Sequence, residues 1–243
     1  MNGDPLDSRR SLERHTMEIP SNARNQSAST CVIRQALPDE RSGVVATVAI
    51  AFSEDPGWAF ILGKEYDRLA PHFAGALFDV RVAGQNVWVT DDLTAVAMWD
   101  SPGNSDAVPD YAERVWARYR ATVGEDAFDR YTRYKDAVGA ASPPELYWYL
   151  GVLATDPERR REGLATALLT PILNDADRLG IACCLETSTA ANRRFYERRG
   201  FTQATEILLP EGPPTWWLRR PPDSPRARVD AWREVYEGWA RDS

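Results

Sequence analysis

From Cys31 onward the apolar positions of the chain alternate between the period of a strand and that of a helix. Cys31 to Ala36 reads as a first strand, and Pro38-Asp39-Glu40 opens a helix to about Phe52. A second helical pattern covers Lys64 to about Val80. Asn86 to Thr90 and Thr94 to Trp99 are strand-length runs joined by Asp91-Asp92-Leu93, a connection short enough for a hairpin. Residues 108–138 return to helical spacing, interrupted near Gly124.

The second half is more sharply punctuated. Leu146 to Leu153 is a nearly continuous apolar run of strand length, which predicts a strand covered on both faces and hence the centre of a sheet. After Asp156-Pro157 a helix is expected from Gly163 to about Leu179, with Leu164, Leu168, Ile172 and Leu179 at helical spacing and a kink at Pro171. Ile181 to Glu186 reads as a strand and Ala191 to Arg199 as a short helix ended by Gly200. Thr202 to Leu209 and Thr215 to Arg219 then form a closing hairpin around Pro210-Glu211-Gly212-Pro213. Strands that first pair as a hairpin and later alternate with helices predict a single α/β (α+β) domain over residues 31–220, with a mixed central sheet flanked by helices.

Residues 1–30 are rich in Ser, Asn and Arg without an apolar period and read as a tail. Residues 221–243 begin as a Pro-rich linker. Ser224-Pro225 then supplies an N-cap and N1 proline for a last helix, whose Val229, Trp232, Tyr236 and Trp239 share one face. That face is expected to dock on the domain or on a second subunit, as a candidate homodimer contact.

Composition narrows the function. A formal net charge of −7 leaves no basic surplus for neutralising phosphates, which argues against a nucleic-acid partner. No run reaches the roughly 18–20 apolar residues of a membrane span, and the N-terminus lacks a signal peptide's apolar segment, so no membrane partner and a cytoplasmic location are expected. Cys183 and Cys184 are adjacent on a strand and point to opposite faces, which favours reduced thiols over a disulfide between them. No metal site is expected.

Two stretches carry chemistry. Arg160-Arg161-Glu162-Gly163-Leu164-Ala165 lies at the start of an amphipathic helix, where free N–H groups and the helix dipole favour an anion. Cations there cost about 0.3–1 kcal/mol each, so consecutive arginines make sense if an anion binds. The alternative is a solvated turn in which Asp156, Glu158 and Glu162 offset the arginines. The other stretch is Asn192-Arg193-Arg194-Phe195-Tyr196-Glu197-Arg198-Arg199-Gly200-Phe201.

Together these stretches resemble the GNAT acetyltransferase superfamily, whose cofactor loop has the form Gln/Arg-x-x-Gly-x-Gly/Ala. Leu185-Glu186-Thr187-Ser188 and Pro210 to Trp216 make the chain more similar to the puromycin-acetylating type. The resemblance implies acetyl-CoA as cosubstrate and a small-molecule amine as acceptor. It implies cofactor contacts from the Leu153 and Thr155 backbone, from Arg160, Arg161, Gly163, Leu164 and Ala165, and from Asn192. Tyr196 would be the general acid, and Glu186 is the best candidate for the base. Tyr149 stands where some members of the family carry a glutamate base. Trp58, Phe60, Tyr66, Trp116, Trp216 and Trp217 are expected around the acceptor. Other acceptors, such as a polyamine, an amino sugar or a protein amine, stay open, as does a CoA-binding module without turnover.

Overall fold

The computed structural model describes residues 17–19, 31–103 and 109–223. The predicted C-terminal helix and its dimer contact lie outside these residues. Of residues 1–30, read above as a tail, Met17–Ile19 is described, and it forms an edge strand.

Among the described residues eight strands form one sheet: β1 Met17–Ile19, β2 Cys31–Gln35, β3 Val87–Thr90, β4 Ala95–Asp100, β5 Tyr147–Thr155, β6 Ala182–Thr187, β7 Gln203–Ile207 and β8 Thr215–Arg220. Their order is β1-β2-β3-β4-β5-β6-β8-β7, with β5 and β6 parallel and every other pair antiparallel. The mixed sheet and the central place of β5 follow the apolar pattern. On one face lie α1 Arg41–Ala51, α2 Pro56–Leu62, α3 Tyr66–Val82, α4 Pro109–Val123 and α5 Glu125–Ala140; on the other lie α6 Leu164–Leu179 and α7 Ala190–Glu197. Among the described residues no single helix is long and apolar enough to cross a membrane.

Most helices start and stop where local chemistry dictates. The α2 helix, absent from the pattern reading, begins at Asp55, whose carboxylate accepts the Trp58 N–H at 3.0 Å, with Pro56 at the first helical position. Gly124 separates α4 from α5 with φ of 83°. The α6 helix continues unbroken through Pro171.

The feature that positions the site is a bulge in β5. Met98 pairs with Val152 and Trp99 with Leu150, so Gly151 is an extra residue on β5. One extra residue inverts the side-chain alternation. Val152 and Ala154 therefore pack under α1 and α3, whereas Leu150 joins Trp99 and Leu168 on the α6 face. Gly151 is needed for space. A Cβ there would lie 2.8 Å from Arg81 Nη2. Arg81 is itself buried and pinned, donating to Asp100 Oδ2 at 2.7 Å and to the Leu77 carbonyl at 3.1 Å, so it cannot swing aside.

Gly151→Ala should therefore lower unfolding stability by about 1–3 kcal/mol, the usual range for overpacking, despite alanine's better strand propensity. Urea denaturation measures this, and an unchanged midpoint would mean that Arg81 relaxes freely.

Candidate active site

Beyond the bulge the two central strands part. The parallel ladder between β5 and β6 runs from Tyr147↔Ala182 to Leu150↔Leu185 and stops. From Val152 to Thr155, β5 pairs with β4 alone, leaving the backbone edge that had faced β6 without a strand partner. Meanwhile Glu186 and Thr187 continue to pair with Trp217 and Trp216 of β8. A wedge opens between the strands, with polar backbone on one wall and a carboxylate at its vertex.

The wedge leads into a cavity of about 1090 Å³ that runs under α2, α3, α4 and α5. Four of the residues expected to work together meet in its lining: Leu153, Glu186, Asn192 and Tyr196. Thr155 and residues 160–165 do not line the cavity. They continue from the outer end of the wedge along β5 into the loop before α6.

That loop is shaped for close approach. Asp156 caps a 3-10 turn at Pro157–Arg159 by accepting the Glu158 N–H at 2.9 Å. Arg161 and Gly163 both take left-handed φ values, 71° and 88°, and Gly163 is the N-cap of α6. Space in front of Gly163 is open, with nothing within 4 Å of where a Cβ would stand. The first-turn N–H groups of α6 have no intrahelical acceptor. Charges in the loop are divided unevenly. Arg159 is tied to Asp92 at 2.7 Å and to Glu162 at 2.9 Å, whereas Arg160 and Arg161 have no carboxylate partner within 4 Å among the described residues. Arg159 thus fits the solvated-turn alternative, and Arg160 donates to the Ala51 carbonyl at 3.5 Å. Thr155 Oγ1 is buried and lacks a hydrogen-bond partner among the described residues.

At the vertex, Glu186 accepts the Tyr149 hydroxyl at 2.6 Å. Burial drives its carboxyl up from the ordinary 4.5 to about 7. The Tyr149 hydrogen bond and the Arg81 charge pull it down, while Asp55 pushes it up. Such a group is half ionised near neutral pH, which suits proton transfer. Tyr196 sits on α7 with its ring packed against Phe195 and Phe201, centroids 5.2 and 5.7 Å away. Burial, with Glu186 and Asp55 adding to it, raises its phenol well above the usual range, so the group keeps its proton near neutral pH. Asn192 follows the Thr189 N-cap of α7, its N–H bonded to Thr189 Oγ1 at 3.2 Å.

The aromatic wall differs from expectation in part. Trp58 and Trp116 line the cavity; Phe60, Tyr66, Trp216 and Trp217 do not. Tyr66 donates to the Ala49 carbonyl and Trp217 stacks behind Tyr149, so both serve the framework. The wall is instead completed by Phe73 and Tyr131, with Trp116 and Tyr131 stacked at 4.8 Å. Sequence reading also missed Asp55, Arg81 and Tyr134 as lining residues. For Asp55 a signal exists, since Asp-Pro is an N-cap and N1 pair; for the other two nothing local marks them.

The raised Glu186 carboxyl makes a stability prediction. Its protonated form is favoured by the fold, so its contribution is full below about pH 4.5 and lost as the pH rises through about 7. Glu186→Gln removes this loss, and its melting temperature relative to wild type should be higher at pH 8 than at pH 5. Equal differences at both pH values would mean that the carboxyl is not perturbed.

Comparison with known proteins agrees with this geometry. The description of an acetyltransferase (GNAT) domain matches residues 113–203. An uncharacterized N-acetyltransferase from Schizosaccharomyces pombe is 22% identical over 68% of this chain and 71% of its own length. Among solved structures, a protein described as histone acetyltransferase HPA2 and related acetyltransferase from Corynebacterium glutamicum superposes with a TM-score of 0.59 at 22% identity, covering 80% of this chain and 97% of the other. A Drosophila melanogaster polyamine N-acetyltransferase gives 0.54 at 14% identity, covering 79% and 99%. The sheet is parted between β5 and β6, and residues 113–203, which span the parting, match an acetyltransferase (GNAT) domain, a match that supports an acetyl-transferring enzyme.

Proposed function

We propose that the enzyme acetylates a primary amine carried on an aromatic molecule, an aminonucleoside of the puromycin type being the leading acceptor and modification of such an antibiotic the leading role. The observation that carries this reading is the pairing of an aromatic wall, Trp58, Phe73, Trp116 and Tyr131, with Glu186 at the end of the same cavity. A planar group stacks on such a wall while its amine reaches the carboxylate. The cavity's size, about 1090 Å³, accommodates an acceptor larger than a simple amine.

Acetyl-CoA supplies the acetyl group as a thioester. The groups suited to hold it are the unpaired edge of β5 at Leu153 and Thr155, the first turn of α6 at Leu164 and Ala165, and the cations of Arg160 and Arg161. Gly163 keeps the approach open, and Asn192 offers an amide at the inner end. Glu186 takes a proton from the acceptor nitrogen as the new N–C bond forms. Tyr196 gives its phenolic proton to the sulfur as the C–S bond breaks, so one proton enters the protein and one leaves it. An α-amine asks little of the base, because its ordinary pKa of about 7.7–8.0 leaves a neutral fraction at pH 7.

A second reading, a polyamine acceptor, is favoured by Asp55 and Asp100, which place further carboxylates in the cavity lining. A panel of puromycin, phenethylamine, spermidine and agmatine, assayed with acetyl-CoA by mass spectrometry, separates the two. Acetylated puromycin or phenethylamine supports the aromatic reading, and product from spermidine or agmatine alone overturns it.

Two substitutions test the roles. Gly163→Val forces a β-branched residue into left-handed backbone and fills the open approach, so acetyl-CoA affinity should fall about tenfold or more by calorimetry. Unchanged affinity would remove the loop from the site. Tyr196→Phe should lower kcat by about 10²- to 10⁴-fold with cofactor affinity nearly intact. Equal turnover with chemistry rate-limiting would reduce Tyr196 to packing.

A further inference from the structure

Tyr149 is the residue on β5 where a glutamate base would stand by resemblance, and a phenol cannot replace it. The register shows what it does instead. Tyr149 pairs with Cys184 across the parallel ladder, and Glu186 lies two residues beyond Cys184, so Tyr149 and Glu186 share one face of the sheet. Their contact is diagonal, at the last rungs before the strands part, and it closes a hydrogen bond of 2.6 Å. Trp217, the β8 partner of Glu186, extends the same face and stacks on the Tyr149 ring, with centroids 5.9 Å apart and planes inclined by 11°. The phenol is thereby fixed on its far side, and its one hydrogen is committed to the carboxylate.

We propose that Tyr149 is a positioning residue for acetyl transfer: clamped by Trp217, it holds the Glu186 carboxylate in one orientation and favours its charged form. This inference rests on the reading of Glu186 as the base. It makes proton abstraction a property of a Tyr149–Glu186 pair spanning β5 and β6, with the carboxylate moved one strand over from where the resemblance would put it.

Other groups share the surroundings of Glu186. Asp55 precedes α2, Arg81 belongs to α3, Tyr131 and Tyr134 to α5, Tyr147 to β5 and Tyr196 to α7. Asp55 opposes ionisation of Glu186 and Arg81 favours it. The tyrosines are neutral over the range in which Glu186 titrates. Tyr134 also has Glu186 as a hydrogen-bond partner, whereas the Tyr149 hydroxyl donates to the carboxylate at 2.6 Å, and removing that hydroxyl leaves the surrounding charges in place.

The experiment compares wild type, Tyr149→Phe and Glu186→Gln. Phenylalanine keeps the ring on Trp217 and removes only the hydroxyl, and equal melting temperatures at pH 5, where Glu186 is protonated, check that the fold is kept. Glu186 is titrated by infrared difference spectroscopy, its protonated-carboxyl band identified by its absence in Glu186→Gln; this needs no acceptor. In parallel, kcat/KM is measured against pH with acetyl-CoA and phenethylamine. In Tyr149→Phe the Glu186 midpoint should move up by about one pH unit, the loss expected for a hydrogen bond to a charged group. The acidic limb of kcat/KM should move with it, giving a loss of about tenfold below the limb and a smaller one on the alkaline plateau, with KM for acetyl-CoA unchanged.

A midpoint that does not move, or a loss of kcat uniform across pH, overturns the positioning role and leaves Glu186 as base. Wild-type turnover in Glu186→Gln overturns the base assignment itself, whatever Tyr149→Phe does, so the two failures are distinguishable.

Discussion

The structure depends on one interruption of hydrogen bonding. A parallel pair of strands in the middle of a sheet should continue pairing, because unpaired backbone in the interior costs free energy. Here β5 and β6 stop at Leu150 and Leu185, and β5 carries an extra residue at the next position. Buried Arg81, held by partly exposed Asp100, packs against that residue and leaves room for no side chain but hydrogen. Glycine, guanidinium and bulge thus form one unit, and the wedge follows from it. The polar edge of β5 beyond Leu150 is left without a strand partner, and this is what makes it the proposed binding surface.

Electrostatics at the vertex follow from the same geometry. Where the strands separate, Glu186 is surrounded by protein yet faces a cavity, so its charged form is poorly solvated and its carboxyl is pushed up to about 7. Nearby Tyr196 is desolvated too, which keeps its phenol protonated. One environment shifts both groups in the direction that leaves a base and an acid available near neutral pH. At the outer end of the wedge the electrostatics are reversed: Arg160 and Arg161 stand beside the start of α6 without carboxylate partners among the described residues.

Much of this was legible in the residues, and the illegible parts have a common cause. Apolar runs located β2 to β8 and, among the described residues, six of seven α-helices, because each carries a local period; α2 was missed because its seven residues are too short to show one, although Asp55-Pro56 marks its start. Arg160 to Ala165 and Asn192 to Tyr196 announce themselves by spacing. By contrast, the Tyr149–Glu186 contact depends on the register between strands 37 residues apart, and the lining roles of Arg81 and Tyr134 depend on how helices pack over the sheet. Strand 146–153 reads as buried on both faces; it is covered on both, yet Tyr149, Gly151 and Leu153 are only partly buried because the cavity opens against them. The tryptophans of the closing hairpin show the limit of composition: Trp216 and Trp217 support the site from behind and do not line it.

The central claim is that the unpaired edge of β5 and the first turn of α6 are one cofactor-binding surface. Hydrogen exchange followed by mass spectrometry, with and without acetyl-CoA, tests it most directly, because amides on an unpaired edge slow when a ligand accepts their hydrogen bonds. The account predicts protection confined to residues 151–155 and 163–166, with the β3–β4 hairpin unchanged. Protection elsewhere, with those two segments exchanging as fast as in the free protein, would contradict it.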